Sequence, residues 1–293
     1  DSAVDLYCDF LLSTVDYRLD GMKVVLDCAN GASYIAAPHV YRSLGAEVTV
    51  IGDRPDGVNI NDNIGSTHPG KLQAKVGADI GLAFDGDADR LIVVDEKGEI
   101  IDGDKAICLC AATLRKEGRL YKGRVTATVM SNIGFHRYIE AMGGSVDVTD
   151  VGDRYVLESM LKTGSVIGGE QSGHIIFRDY TTTGDGTLSS LQFIKALLGS
   201  GRKASELSAE VELFPQVLVN AKVKNESKAV FMEDPEVKQA ISKAEAELNG
   251  DGRVLIRPSG TEPLARVMIE GKDAAQIKTM AEEIAGLISR KYM

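Results

Sequence analysis

Three aspartates at alternate positions, Asp85, Asp87 and Asp89, are followed directly by Arg90 and by the apolar run Leu91–Val94. The small residues between them allow a tight loop, here called the metal loop (residues 85–90), to turn the three carboxylates toward one point. Carboxylate oxygens are the ligands that a hard divalent cation prefers. An arginine beside such a cation also favours a nearby anion, most simply a phosphate. The pattern therefore predicts a loop that handles phosphate with a metal ion.

A solvated acidic turn and a calcium-binding helix–loop–helix are two other interpretations of this loop. The three aspartates and Glu96 do fall at the first, third, fifth and twelfth positions of the calcium pattern. The sixth position of that pattern needs glycine and here holds Arg90. A buried strand, Leu91–Val94, is expected in place of a second helix. The calcium interpretation fails on both points, whereas the solvated turn stays open.

Length and charge narrow the classes of function. The chain has 293 residues, enough for about two or three domains with cores of their own. Its formal net charge of −10 disfavours a nucleic-acid or anionic-membrane partner, since either would select a basic surface. No apolar run approaches the ~20 residues of a membrane span, and no signal peptide is visible. We therefore expect a cytoplasmic protein that binds a small molecule.

The cysteines also indicate a cytoplasmic protein. They lie within expected helices or strands, at Cys8, Cys28, Cys108 and Cys110. Their positions lack the paired spacing of a zinc site. We expect all of them to be reduced packing residues, as is usual in the cytoplasm.

A strand–helix–strand pattern occurs twice along the chain. The first copy begins at Lys23–Gly31 and the second at Arg124–Asn132, and each reaches a Gly-Asp-Arg triplet, at Gly52–Arg54 and at Gly152–Arg154. Repeated units of this kind predict two duplicated α/β domains with mixed, largely parallel sheets. The metal loop and the segment Gly169–His174, here called the sugar loop, then occupy equivalent strand ends. Polar loops at strand ends are where α/β folds place ligands.

The pattern changes after Phe214, where strands and two longer helices predict a smaller α+β domain. The first of these helices begins near Pro235, a residue suited to a first helical turn, and the last begins near Ala274. The predicted domains are 1–103 with the metal loop, 104–213 with the sugar loop, and 214–293 for binding phosphate.

Two loops offer groups for a phosphorylated sugar. Residues Arg257–Thr261, here called the phosphate loop, combine an arginine and two hydroxyls around Gly260, which suits a phosphate. The sugar loop presents Glu170 and Ser172 between glycines, and a carboxylate accepts two hydroxyl hydrogen bonds at once. A plain hairpin turn and a solvent-facing turn are the respective alternatives. His174 fits a hydrogen-bonded core residue as well as a site residue.

Together these loops resemble those of the α-D-phosphohexomutase superfamily, over essentially the whole chain. The segments that carry the resemblance are, in order, Asn59–His68, Asp85–Arg90, Gly169–His174 and Arg257–Pro263. The stretch Gly152–Val156 is similar to the glucosamine branch. Members of that branch interconvert glucosamine 6-phosphate and glucosamine 1-phosphate through a phosphoserine and a bisphosphate intermediate. The resemblance implies an isomerase of amino-sugar metabolism that contributes to cell-wall precursor synthesis.

The resemblance also implies roles for particular residues. Those that would bind Mg²⁺ are Asp85, Asp87 and Asp89. Those that would bind the phosphosugar substrate are Glu170, Ser172, Arg257, Ser259, Gly260 and Thr261. Arg90 would act in catalysis beside the phosphoserine. Asp153 is the candidate general acid or base, with a simple ion pair to Arg154 as the alternative.

One departure from the family pattern concerns the phosphoserine. No serine of this sequence lies in a Ser-His-Asn-Pro type loop, so the family's serine-bearing N-terminal domain has no counterpart here. We expect the chain to bind Mg²⁺, and phosphosugar weakly, without turnover on its own. The alternatives are a phosphoglucomutase or phosphomannomutase, and a non-catalytic phosphosugar-binding module. The oligomeric state stays open, including a homodimer of a longer protein.

Overall fold

The computed structural model of the protein describes residues 3–75, 77–227, 230–259 and 262–293. These residues form two compact units. The larger unit contains the described residues up to Ser131 together with Phe135–Glu212, and it has two β-sheets. The smaller unit contains Asn132–Gly134 and the described residues from Leu213 onward, with a third sheet. No helix in these described ranges has both the length and the apolarity that crossing a membrane requires.

The first sheet of the larger unit is mixed. Its strands are β1 (Lys23–Asp27), β2 (Glu47–Ile51), β3 (Ile80–Phe84), β4 (Leu91–Val94) and β5 (Ile100–Ile101), in the order β2-β1-β3-β4-β5. Strand β1 pairs in parallel with β2 and β3, and the pairings β3–β4 and β4–β5 are antiparallel. The helices of this part are α1 (Ala3–Ser13), α2 (Ser33–Ser43) and α3 (Gly70–Gln73). The central strands β3 and β4 are buried along their whole length, as their apolar sequences predict.

The second sheet repeats this arrangement with one strand fewer. Its strands are β6 (Arg124–Thr128), β7 (Ser145–Thr149), β8 (Ile167–Gly169) and β9 (Ile175–Phe177), in the order β7-β6-β8-β9. Strand β6 is parallel to β7 and β8, whereas β8–β9 is antiparallel. The helices are α4 (Gly103–Lys116), α5 (Ile133–Ala141), α6 (Asp153–Thr163), α7 (Gly186–Ser200) and α8 (Ala204–Ser208). The prediction of duplicated α/β domains with mixed sheets is confirmed.

The two copies differ after the Gly-Asp-Arg triplets. In the second copy α6 begins directly at Asp153, whereas in the first copy an irregular segment separates Arg54 from the short helix α3. The helices after the two antiparallel strands correspond more closely, because Asp102 caps α4 and Asp185 caps α7 through their side chains. Each carboxylate accepts a backbone N–H of the first turn, which satisfies a donor that the helix leaves unpaired.

Three tyrosines connect the first copy to helix α7 of the second. The Tyr41 hydroxyl lies 2.7 Å from Ser190 Oγ, and both groups are buried. Tyr7 donates to the carboxylate of Asp185 at 2.9 Å, and Tyr17 donates to the backbone oxygen of Leu191 at 2.7 Å. Because a buried hydroxyl without a partner is costly, these contacts fix α7 against α1 and α2.

In the part of the smaller unit that the structure describes, a three-stranded antiparallel sheet packs with two long helices. Its strands are β10 (Gln216–Lys222), β11 (Gly252–Pro258) and β12 (Leu264–Gly271), with β12 in the centre. Its helices are α9 (Pro235–Leu248) and α10 (Ala274–Tyr292), which begin at the side-chain caps Asp234 and Asp273. Apolar residues of both helices and of β12 form one core, as the helical spacing in the sequence predicts.

The hydrogen bond of Tyr41 gives a direct test of this packing. We expect Tyr41→Phe to lower the free energy of unfolding by about 0.5–1.5 kcal/mol, the usual net value of a buried hydrogen bond. Ser190 keeps its second bond, to the backbone oxygen of Thr187, so the loss stays moderate. Urea unfolding measures the change. The control is Tyr34→Phe on the same helix, where the hydroxyl has no described hydrogen bond, and equal stability of the two variants would contradict the expectation.

Candidate functional site

The metal loop is the connection between two antiparallel strands. Phe84 and Leu91 pair at the ends of β3 and β4, so the six residues between them must reverse the chain. The N–H of Ala88 closes the turn on the backbone oxygen of Asp85 at 3.1 Å, with Ala88 in the left-handed region at φ 62°. The N–H of Arg90 donates to Asp85 Oδ1 at 3.1 Å. The backbone therefore fixes Asp85 at the base of the loop.

The three aspartates converge as the spacing predicts. One carboxylate oxygen from each of Asp85, Asp87 and Asp89 lies within 4.8 Å of the other two. Asp85 is buried, Asp89 is half-buried and Asp87 is exposed. Burial and the neighbouring carboxylate of Asp89 raise the pKa of Asp85 to about 6. Close, unneutralised carboxylates of this kind favour a cation between them.

These residues fit a divalent cation. Every donor in the group is a carboxylate oxygen, which is the donor set that Mg²⁺ and similar hard cations use. Asp89 Oδ1 is buried and has no hydrogen-bond partner among the described residues. The Arg90 Nε atom lies 3.5 Å from Asp85 Oδ2 and 3.8 Å from Asp89 Oδ1, too far for a hydrogen bond. A bound cation would supply the missing partner.

The metal loop is anchored on both sides by backbone hydrogen bonds. The N–H of Ala32 donates to the oxygen of Gly86, and the N–H of Gly186 donates to the oxygen of Ala88, each at 2.8 Å. The first anchor belongs to the start of α2, and the second belongs to the start of α7. Both copies of the α/β unit therefore hold this one loop.

The segment Asn59–His68 packs behind the metal loop. A Cβ on Gly86 would lie 2.6 Å from Asn61 Nδ2 and 2.7 Å from the side chain of Ile60. The buried carboxylate of Asp27 accepts the N–H of Gly65 at 2.9 Å and that of Ala29 at 3.0 Å. The segment Asn59–His68 therefore supports the metal loop. The sequence linked this segment to the site only by resemblance.

The sugar loop is a tight turn that reaches the other domain. The N–H of Gly103, at the start of α4, donates to the backbone oxygen of Gln171 at 3.0 Å. A Cβ on Gly103 would lie only 2.2 Å from the oxygen of Glu170, so this approach requires glycine. Leu91 of β4 donates its N–H to the oxygen of Gly173 at 3.0 Å. The sugar loop and the metal loop are thus neighbours.

His174 joins the two loops through its side chain. It is 5% exposed, and its Nδ1 lies 2.9 Å from Asp89 Oδ2. The backbone N–H of Gly184 donates to Nε2 at 3.0 Å, so Nε2 is unprotonated and Nδ1 carries the proton that Asp89 accepts. Sequence reasoning left this histidine undecided, and only its position at the end of the sugar loop signalled a role.

Glu170 and Ser172 differ in how far their surroundings fix them. Glu170 Oε1 accepts the N–H of Gly152 at 3.1 Å, whereas Ser172 is exposed at the tip of the turn.

Asp153 does not form the side-chain ion pair with Arg154 that was the alternative to a catalytic role. Its Oδ1 accepts the backbone N–H of Arg154 at 2.8 Å, and the Arg154 guanidinium instead bonds Glu158.

The phosphate loop belongs to the smaller unit. Gly260 and Thr261 lie outside the described residues. Ser259 is buried, and its hydroxyl accepts the N–H of Glu262 at 3.2 Å. Arg257 stands directly opposite Arg266 in the β11–β12 register. Like charges in such a pair repel unless an anion lies between them.

Arg266 was missed from the sequence, although alternation along β12 was a usable signal. The strand alternates partly buried and buried residues from Leu264 to Val267, which puts Arg266 on the same face as Leu264. Its guanidinium lies 3.3 Å from the carboxylate of Glu262.

Family models cover nearly the whole chain. Three phosphoglucomutase/phosphomannomutase models match the chain. The model of alpha/beta/alpha domain II matches residues 5–98, that of alpha/beta/alpha domain III matches 102–214, and that of the C-terminal domain matches 218–287. The chain belongs to this family. The segments match domains II, III and IV of the phosphohexomutase superfamily, in agreement with the resemblance seen in the sequence.

Curated members of the family are similar over almost all of this chain. A phosphoglucosamine mutase of Thermoanaerobacter sp. (strain X514) is 58% identical over 97% of the chain and 64% of its own length. One of Alkaliphilus oremlandii is 50% identical over 99% of the chain and 66% of its own length. The chain therefore spans about two thirds of the length of these relatives.

Solved structures of the family share the fold. One is the N-acetylphosphoglucosamine mutase of Aspergillus fumigatus in complex with GlcNAc-6P and magnesium, with a TM-score of 0.78 at 20% identity. It is matched over 99% of this chain and 65% of that protein. A product complex of an N-acetylglucosamine-phosphate mutase gives a TM-score of 0.77, also at 20% identity. At 20% identity, the similarity to these structures shows that this chain shares their fold.

The raised pKa of Asp85 predicts how cation binding depends on pH. A proton and a cation compete for this carboxylate, so the rise in Tm caused by Mg²⁺ should be full near about pH 7.5 and largely lost near about pH 5. Without metal, stability depends on pH in the opposite direction. The folded chain binds this proton more tightly than the unfolded chain, so stability falls as pH rises from about 4 to about 6.

Thermal melts with Mg²⁺ or with EDTA across this range measure both effects. Asp85→Asn removes the titrating group and serves as the control, because its metal-free stability should lose this pH dependence. A shift in Tm on adding Mg²⁺ that stays constant over the whole pH range would contradict the assignment.

Proposed function

We propose that this chain carries the metal, sugar and phosphate sites of a phosphoglucosamine mutase. Such an enzyme is an intramolecular phosphotransferase that interconverts glucosamine 6-phosphate and glucosamine 1-phosphate. The observation that carries the proposal is the meeting of the metal loop and the sugar loop, where His174 bonds Asp89. An oxygen cluster suited to a cation then lies beside a loop suited to sugar hydroxyls. The names of relatives that are 50% and 58% identical support the glucosamine branch.

Mg²⁺ is the cation that we propose for Asp85, Asp87 and Asp89. When bound, it neutralises negative charge on a phosphoryl group during transfer. The protein's part is to hold the oxygens in place, with Asp85 fixed by the N–H of Arg90 and Asp89 fixed by His174. The Arg90 side chain is 41% exposed, so a phosphoryl group at the same place can reach it.

We propose that the sugar and the non-reacting phosphate are bound by the other two loops. Glu170 keeps one oxygen for sugar hydroxyls while Gly152 holds the other, and Ser172 offers a hydroxyl from the tip of the turn. In the smaller unit, the residues proposed for phosphate are Arg257, Ser259, Gly260 and Thr261, with Arg266 as an addition. Asp153 stays the candidate for proton transfer, since its carboxylate is exposed and not neutralised by Arg154.

The whole reaction needs more than these sites. The resemblance implies a phosphoserine and a bisphosphate intermediate, and no loop of this chain matches the serine-bearing one. We therefore propose that the chain binds Mg²⁺ and phosphosugar in the cytoplasm, with no nucleic-acid or membrane partner, and does not turn substrate over alone. A phosphoglucomutase or phosphomannomutase is the second candidate, because the matching family models carry those names. Affinities for glucosamine, glucose and mannose phosphates separate the two.

Calorimetry with Mg²⁺ tests the metal assignment. We expect the wild-type chain to bind one ion, and Asp87→Ala to weaken binding at least about tenfold, because a charged ligand is lost. Asp9→Ala, which removes an exposed carboxylate from helix α1, is the control and should bind as wild type does. Equal affinities of Asp87→Ala and wild type for Mg²⁺ would contradict the metal assignment.

Binding of glucosamine 6-phosphate and glucosamine 1-phosphate tests the phosphate loop. Arg257→Gln should weaken both ligands by about tenfold or more, since a charge-assisted hydrogen bond to phosphate is lost. Arg290→Gln removes an exposed charge from the same unit and should have no effect. If Arg257→Gln binds both ligands as tightly as wild type, the phosphate is held elsewhere.

A further inference from the structure

Asp27, the last residue of β1, is a fully buried carboxylate to which the proposed function gives no role. Burial raises its pKa, because the charged form loses its hydration inside the protein. Its two oxygens have separate partners. Oδ1 accepts the N–H of Ala29 at 3.0 Å, and Oδ2 accepts the N–H of Gly65 at 2.9 Å. The carboxylate thus holds two segments that lie far apart in the sequence.

The first segment is the turn between β1 and α2. Ala29 lies in the left-handed region at φ 53°, which is uncommon for a residue with a side chain, and its bond to Asp27 stabilises the turn. The turn brings Gly31 close to the metal loop, where a Cβ on Gly31 would lie 2.2 Å from the oxygen of Gly86. The next residue, Ala32, donates its N–H to that same oxygen at 2.8 Å. This turn therefore fixes the carbonyl group of Gly86.

The second segment contains Gly65 and Ser66. The N–H of Gly65 is the one that Asp27 Oδ2 accepts, and the N–H of Ser66 donates to the oxygen of Phe84 at 2.8 Å. Gly65 has φ 80°, and a Cβ on it would lie 2.5 Å from the Phe84 oxygen, so this approach requires glycine. This segment therefore fixes the carbonyl group of Phe84.

Phe84 and Gly86 are the two neighbours of Asp85 in the chain. We propose that Asp27 is a positioning residue for the metal loop, since its carboxylate holds both segments that bind the carbonyl groups on either side of Asp85. The proposal rests on the proposed function, in which Asp85 binds Mg²⁺. It adds a residue outside the loop on which the affinity for the ion depends.

The second copy of the α/β unit has a simpler arrangement at the same place. Its first strand, β6, ends at Thr128, whose hydroxyl accepts the N–H of Met130 at 3.2 Å. That bond corresponds to the one that Asp27 Oδ1 accepts from Ala29, two residues further along the chain. Threonine has one side-chain oxygen, whereas aspartate has two. The additional oxygen is thus found in the copy that carries the metal loop.

A simpler account is that Asp27 only stabilises its own turn, as Thr128 does. On that account, substitutions of Asp27 lower the stability of the protein but leave the affinity of the folded chain for Mg²⁺ unchanged. The positioning role predicts a loss of affinity as well, because the ion must then draw together a looser loop.

The test is calorimetry with Mg²⁺ on folded variants of this chain. Asp27→Thr introduces the residue of the second copy, which keeps an acceptor for Ala29 and removes the oxygen that holds Gly65. Asp27→Asn keeps the shape but replaces one acceptor with an NH₂ donor. We expect each variant to bind Mg²⁺ about three- to tenfold more weakly than wild type, which corresponds to one hydrogen bond.

Thr128→Val is the matched control, because it removes the corresponding bond in the second copy. Thermal melts should show a lower Tm for this variant, and calorimetry should show an unchanged affinity for Mg²⁺. Affinities of both Asp27 variants equal to that of wild type would overturn the proposal, and so would an equal loss in Thr128→Val. If the wild-type chain binds no Mg²⁺, the metal assignment fails and the positioning role fails with it.

Amide hydrogen exchange of the wild-type chain tests the same coupling without any substitution. Coupling between two sites is reciprocal, so Mg²⁺ should slow the exchange of the Ala29 and Gly65 N–H groups. The N–H of Met130, in the corresponding turn of the second copy, is the internal control and should exchange at the same rate with and without the ion. Exchange that Mg²⁺ leaves unchanged at Ala29 and Gly65, or slows equally at Met130, would refute the role of Asp27 while leaving the metal site itself intact.

Discussion

Repulsion among three carboxylates in one short loop is the constraint on which the rest of the site depends. Asp85 is buried with a raised pKa, and Asp89 keeps a buried oxygen without a described hydrogen bond. A loop with this charge would open unless its backbone were held. The N–H groups of Ala32 and Gly186 hold it from either side, so the two α/β copies together supply the free energy that keeps the aspartates close.

The same arrangement explains why metal and sugar chemistry meet. The sugar loop is closed by its own backbone and is attached to the first copy through Leu91 and through the side chain of His174. Neither attachment is local in sequence, since His174 and Asp89 are 85 residues apart. Their distance is set by the pairing of β3 with β4 and of β8 with β9, which places both loops at strand ends. The fold thus positions the two loops before any ligand binds.

Much of this was predictable from the sequence, because strands, capped helices and alternating aspartates leave local patterns. The strand Leu91–Val94 and the helices that begin at Pro235 and Ala274 are found where the patterns place them. Contacts between distant side chains left no such signal. The bond from Gly152 to Glu170 depends on how β7 and β8 flank β6, and the opposition of Arg257 and Arg266 depends on strand register. Patterns of hydrophobicity fix which face a residue takes, but not which residue stands across from it.

Helix α7 is buried along most of its length, and its neighbours include β3 and β4 as well as β9. It follows the sugar loop in sequence, yet the hydroxyl groups of Tyr7, Tyr17 and Tyr41 reach it from the other copy. An excised first domain would expose the apolar underside of its sheet and leave these hydroxyls without partners. The duplicated halves have therefore lost their independence, and they should melt and refold together as a single cooperative body.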